Sequence, residues 1–210
     1  MRTVHHLLRR ALELVRPSRA IKAGARRVGA IARALLEAGP AGGPGGPGEL
    51  VRSAIERAVG VCDRTETDRV ARGLFDFAEI AARCLAGHWT DRTAGEREEF
   101  VRLLTGLLGR AYFGKLRAVE RIVSAGEAVR GRFATVRCTL VTTQGTEIPL
   151  EHRLRRSGRG WRVHDFAIDG VSFVGTYRER LHGIIETSSY QDLVWRMQLK
   201  SFDPASGVAA

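Results

Sequence analysis

The chain has 210 residues, 44% hydrophobic and 27% charged, which is ordinary for a globular protein and long enough for one well-cored domain with an appendage. No stretch approaches the ~20 uninterrupted apolar residues that a spanning helix needs. The net charge of +11 would favour nucleic acid or anionic lipid if it lay on the folded domain, but nine Lys and Arg against Glu13 and Glu37 fall within residues 1–40.

That first segment, residues 1–38, is basic and weakly amphipathic. Three readings of it stand: a start placed too far upstream, a degenerate leader, or a basic helix lying on anionic membranes. Its best apolar core, Val28 to Leu36, is interrupted by Arg33. The arm has no interleaved aromatics and no recognised module, so nucleic-acid binding is not expected. Residues 39–48, GPAGGPGGPG, cannot pack a core and read as a flexible tether. The folded domain is expected over 49–202, with a short tail at 203–210.

Helical periodicity runs from Glu49 to Leu116. Leu50, Ile55 and Val59 begin it, the helical pattern continues from Thr67 to Leu85, and Asp68 and Asp76 stand where helix starts are expected. Gly87 to Thr90 breaks the pattern. Thr93 and Glu96 then form a capping box, in which each side chain accepts the other residue's free backbone N–H. The helix it opens carries Phe100, Leu103, Leu104, Leu107, Leu108, Ala111 and Tyr112 at three- and four-residue steps, a sustained apolar stripe.

After Lys115 the period becomes two. Ala134, Val136, Cys138 and Leu140 alternate with polar residues, as do Ile148, Leu150, His152 and Leu154, and Trp161 to Ile168 forms the return strand. Gln144-Gly145 and Ser157 to Gly160 are the turns between them. A further strand is expected near Ala118 to Ser124. Pro149 lacks a donor, so its strand should be an edge or be bulged there. Helices over Tyr177–Glu186 and Ser189–Lys200 close the chain, the second capped by Ser189. The fold class is therefore α+β: a curved antiparallel sheet of four to five strands packed against N-terminal and C-terminal helices.

One segment carries more than periodicity. Within WRVHDFAIDGVSFVGTYR, residues 161–178, Trp161, Val163, Asp165, Ile168, Gly170, Val171, Ser172, Val174, Tyr177 and Arg178 match the signature of the MlaC family of periplasmic phospholipid-binding, toluene-tolerance auxiliary proteins. His164, Phe166, Asp169, Phe173 and Thr176 depart from it. Phe75-Asp76, Gly87 with Trp89, Thr93, Arg97, Phe100 and Tyr112 also resemble family positions in the right order. The resemblance spans about residues 49–200. It implies a soluble periplasmic phospholipid carrier that maintains membrane lipid asymmetry. Its partners would be an inner-membrane ABC-type lipid transporter complex and an outer-membrane lipoprotein complex. It implies no cofactor and no catalysis, with phospholipid as cargo. Another amphiphile such as a hopanoid, or a non-catalytic interaction module, is the alternative.

By the same resemblance the cargo's acyl tails need an oily cavity between helices and sheet. Burial of two ~16-carbon chains at ~0.8 kcal/mol per CH₂ involves roughly 25 kcal/mol gross, so the lining must be apolar and adaptable. The candidate lining residues are Leu74, Phe75, Leu103, Leu104, Leu107, Leu108, Tyr112, Val136, Leu140, Val163, Phe166, Phe173, Leu181 and Ile184. Tyr112 stands out because its ring can meet acyl chains while its hydroxyl finds a polar partner. Tyr177 and Arg178 either sit near the cavity mouth or, for Arg178, pair with Asp165 or Asp169. Gly170 is expected to permit a positive-φ turn.

No nucleophile motif, P-loop, dinucleotide fingerprint or H-E-x-x-H is present. His152, His164, Asp165 and Asp169 do not obviously converge, and Asp165 reads as a structural acceptor. No metal site is expected, because no ligand pair has helpful spacing. Of the three cysteines, Cys138 reads as a small buried hydrophobe, while Cys62 and Cys84 are either free or paired in an oxidising compartment.

Overall fold

The computed structural model describes residues 45–59, 64–116, 118–158 and 160–199. The basic arm 1–38, most of the 39–48 tether, Cys62 and the 203–210 tail lie outside the described residues. Helix α1 spans Pro47–Val59, and Pro47 takes a first-turn position where its missing N–H goes unneeded. It buries Val51, Ala54, Ile55 and Ala58.

The helical stretch Thr67–Leu85 falls in two helices, α2 over Arg64–Leu74 and α3 over Phe77–Leu85, the second starting at Asp76 as expected. The break has a tertiary cause. Phe75 pairs in parallel with Val163 far along the chain, and the Asp76 N–H donates to the Val163 carbonyl at 2.8 Å. The Asp76 side chain then accepts the Glu79 N–H at 3.1 Å and caps α3. Asp68 lies inside α2 and starts nothing.

A 3₁₀ turn, Ala86–Trp89, leads to the capping box, with Thr93 N–H on Glu96 Oε2 at 2.8 Å and Glu96 N–H on Thr93 Oγ1 at 3.3 Å. Helix α4 follows over Ala94–Leu116 and buries Phe100, Leu104, Leu107, Leu108 and Tyr112.

Five antiparallel strands form one meander in chain order: β1 Val119–Arg130, β2 Phe133–Thr142, β3 Glu147–Ser157, β4 Gly160–Ile168 and β5 Val171–Ser172. β1 runs six residues beyond the expected strand. It is an exposed edge carrying Glu120, Arg121, Glu127 and Arg130, and a register shift at Gly126 (φ 120°) bends it. β3 is a central strand, contrary to the edge or bulge expected from Pro149. The ladder to β4 ends at Leu150–Ile168, and the Pro149 carbonyl instead accepts the Asp169 N–H at 3.1 Å. Its nitrogen faces the same side, beyond the last β4 pair, where no donor is missed.

The β3–β4 pairing shifts register between Arg153 and Leu154, leaving His164 as an extra residue. That bulge puts Val163 beside Leu154 and Phe166 beside His152, so both turn toward the core despite their odd spacing. Helix α5 spans Phe173–Thr187 and α6 spans Tyr190–Gln198. α5 begins four residues earlier than expected because Ser172 caps it, accepting the Gly175 N–H at 2.9 Å. Ser189 caps α6 in the same way, on Asp192 N–H at 3.0 Å. No described helix is long and apolar enough to cross a membrane.

Candidate functional site

The helices and the sheet meet in one apolar interior. Leu74 and Phe75 reach it from the α2–α3 junction, Leu104, Leu107, Leu108 and Tyr112 from α4, Val136 and Leu140 from β2, Val163 and Phe166 from β4, and Leu181 from α5; all are buried. Leu103, Phe173 and Ile184 are half-buried and pack against the rest. The fourteen expected residues therefore fall on or beside one core, in which the aromatic members form a continuous chain. Phe75 meets Tyr112 edge-on at 5.1 Å and Phe166 at 5.9 Å. Tyr112 meets Phe166 at 5.2 Å, and Phe166 stacks on Phe173 at 4.9 Å.

Phe77, Phe113 and Tyr177 extend this cluster and were not among the expected lining residues. Phe113 lies 4.9 Å from the Tyr112 ring. Its signal was adjacency to the α4 stripe, which buries a wider face than its three- and four-residue steps imply. Tyr177 is buried and stacks on Phe173 at 4.1 Å, so it is a core residue and not a group at a mouth.

A polar pair sits inside the aromatic cluster. The Tyr112 hydroxyl and His152 Nε2 are 2.8 Å apart, both groups buried. Burial pushes the His152 imidazole down to about 3 and the Tyr112 phenol well above its usual range, with the nearby Cys138 thiol adding to the latter. Both side chains are therefore neutral at physiological pH. His152 Nδ1 has no hydrogen-bond partner among the described residues. Cys138 lies buried on the same strand face as Val136 and Leu140, as its alternation implied, and Cys84 is likewise buried.

Asp165 serves a different purpose. It pairs with Arg153 Nη1 at 2.9 Å, accepts the Ser172 hydroxyl at 2.7 Å and accepts the Val174 N–H at 3.1 Å. Its cation is Arg153, the register partner across β3–β4, rather than Arg178, which is exposed and forms no ion pair among the described residues. Arg153 also bonds Glu151 at 3.1 Å, and Glu151 bonds Arg137 at 3.2 Å, so a charged ladder crosses the sheet to the start of α5. His152 and Asp165 pair with Phe166 and Arg153 respectively, hence lie on opposite sheet faces and form no acid–base dyad. Burial lowers the basicity of His164 first, and the neighbouring Arg83 lowers it further.

Asp165, Gly170 and Ser172 of the signature are thus architectural. Asp169 (φ 50°) and Gly170 (φ 79°) make the two-residue turn between β4 and β5, and both are in the left-handed region such a hairpin requires. Ser172 caps α5, and Asp165 binds that cap to β4.

The MlaC protein family model matches residues 63–199. Among solved structures, the chain resembles a phospholipid-binding protein from Ralstonia solanacearum, determined in complex with a phospholipid. The TM-score is 0.65 at 19% sequence identity, covering 76% of this chain and 98% of that one. No curated protein matches the sequence. The fold is shared with that phospholipid-binding protein, and with well over half of its length inside the family model the chain belongs to the MlaC family.

Proposed function

We propose that this chain is a non-catalytic phospholipid carrier, working in the periplasm between outer- and inner-membrane complexes. Its inner-membrane partner would be an ABC-type lipid transporter complex, and its outer-membrane partner a lipoprotein complex. The observation that carries the reading is the composition of the interior: aliphatic and aromatic side chains from α2, α4, β2, β4 and α5, with the neutral Tyr112–His152 pair among them. Such an interior suits acyl chains, which need apolar contact and few directional bonds. The solved relative with the same fold holds a phospholipid, which supports the same cargo here.

In this reading the acyl tails lie against Phe75, Leu107, Tyr112, Phe166 and Phe173. Leu and Phe side chains can re-pack as the tails enter, and the aromatic cluster supplies broad contact area. His152 Nδ1 is the polar atom available to an ester or glycerol oxygen of the cargo.

Organic extraction of the purified protein followed by mass spectrometry tests the proposal. Co-purified diacyl phospholipid is the expected result. A polycyclic lipid would redirect the cargo assignment, and a lipid-free protein would point to an interaction module. Leu107→Asp and Tyr112→Glu should each deplete bound lipid in protein whose circular dichroism still reports a folded domain. Unchanged lipid content in folded variants would show that the tails lie elsewhere.

A further inference from the structure

We propose that His88, His182 and Glu186 form a binding site for a divalent transition-metal ion of the zinc class, away from the apolar interior. His88 stands in the 3₁₀ turn Ala86–Trp89, and His182 and Glu186 stand one helical turn apart on α5. His88 Nε2 lies 2.9 Å from His182 Nδ1 and 3.8 Å from Glu186 Oε1, and His182 Nδ1 lies 4.0 Å from the same carboxylate oxygen. Ligands held at about 2.0–2.1 Å around a tetrahedral Zn²⁺ stand roughly 3.3–3.5 Å apart, so small side-chain rotations bring all three atoms to bonding distance of one ion.

The chemistry of the set is also right. Two imidazole nitrogens, which calcium and magnesium rarely take, joined by one carboxylate oxygen make a mixed set that suits zinc and its neighbours. Three protein ligands leave a fourth position, and His182 and Glu186 are exposed, so water or a group from outside can complete the site. In the metal-free arrangement one ring donates a proton to the other across the 2.9 Å contact. Metal binding needs a lone pair at both of those nitrogens, so the donating ring carries its proton on its outward nitrogen when the ion is bound.

The scaffold holds His88 in place before any ion arrives. The Ala86 N–H donates to Ala82, closing α3, Arg92 Nε donates to the His88 carbonyl at 3.3 Å, and the Thr90 hydroxyl donates to the Gly87 carbonyl at 3.0 Å. A bound ion would staple the end of α3 to the distal half of α5, whose start is already bound to β4 through Asp165. The sequence alone conceals this site because His88 and His182 are 94 positions apart, even though His182 and Glu186 have the i, i+4 spacing that shares a helix face.

Tag-free full-length chain, stripped with a chelator, is to be titrated with zinc chloride in a calorimeter. The expected result is one ion per chain, with affinity reduced at least about tenfold, the loss that outer-shell changes alone produce, in His88→Ala, His182→Ala and Glu186→Gln. The double substitution His5→Ala/His6→Ala should leave this binding unchanged, and zinc should raise the unfolding temperature of the parent but not of His182→Ala. No saturable binding overturns the proposal. So does binding that persists in the His88→Ala/His182→Ala double variant, or binding lost with His5 and His6 instead. Lipid content is read separately, so failure here leaves the carrier reading standing, and the reverse also holds.

Discussion

Tyr112 and His152 decide how polar the interior is. Each would be costly to bury alone, but together the phenol and imidazole satisfy one bond and stay uncharged. That a hydroxyl on the α4 stripe needs a partner was legible in the sequence; that the partner is His152 was not, because it depends on which face β3 turns to the helices. The neutral state has a measurable consequence. An unfolded chain binds a proton at His152 near pH 6.5, whereas the native imidazole resists it down to about 3. The stabilising contribution is therefore full above pH 6.5 and is lost progressively as pH falls toward 3. Between pH 7 and pH 5 that amounts to about 2 kcal/mol. Burial lowers His164 too and acts in the same direction. Urea unfolding at the two pH values should show the parent losing stability more steeply than His152→Leu by roughly this amount. Parallel losses in the two proteins would mean that His152 is not buried and neutral.

The β4–β5–α5 corner is the element on which the family signature acts. Periodicity placed the α4 stripe, the capping box and the β2–β3 alternation correctly, because in those segments local pattern and burial agree. It failed where one residue mattered. The His164 bulge reverses the facing of Val163 relative to Phe166, and no alternation rule reveals an inserted residue. The apolar run Val171 to Val174 reads as strand, yet Ser172 turns it into a helix start. At this corner Ser172 both caps α5 and donates to Asp165, while Asp165 holds Arg153 and the Val174 N–H. Ser172→Ala should cost about 1 kcal/mol as a lost cap. Asp165→Ala should cost more, about 3 kcal/mol, since it leaves the Ser172 hydroxyl and the Val174 N–H without their acceptor and takes one of the two carboxylates from the Arg153 guanidinium. The double variant should lose less than the two costs combined, because the substitutions remove one shared bond. Denaturant midpoints measure all three. Loss of lipid with stability intact in Asp165→Ala would instead assign the carboxylate to the cargo.

Across the whole molecule, the order helices, meander, helices was readable from the change of period at Lys115, and it sufficed for the fold class. Features that depend on distant segments meeting were not readable. Phe75 pairing with Val163 separates α2 from α3, and β1 escapes the alternation rule because it is an edge strand with little buried surface on either face, held by its ladder to β2. The interior those segments enclose is the basis of a global prediction. A ligand that binds only the native state stabilises it by RT ln(1 + [L]/Kd), about 2.7 kcal/mol at a hundredfold excess over Kd. For a domain of this size about 1 kcal/mol shifts the unfolding temperature by roughly 2–4 °C, so stripping a tightly held phospholipid should lower it by roughly 5–10 °C. The measurement is a thermal melt of protein as purified, after delipidation on a hydrophobic resin, and after return of phosphatidylethanolamine from mixed micelles. The last step should restore the original temperature in the parent and fail to do so in Leu107→Asp. A melt indifferent to delipidation, in protein shown by extraction to have carried lipid, would place the acyl chains on the surface and not between the helices and the sheet.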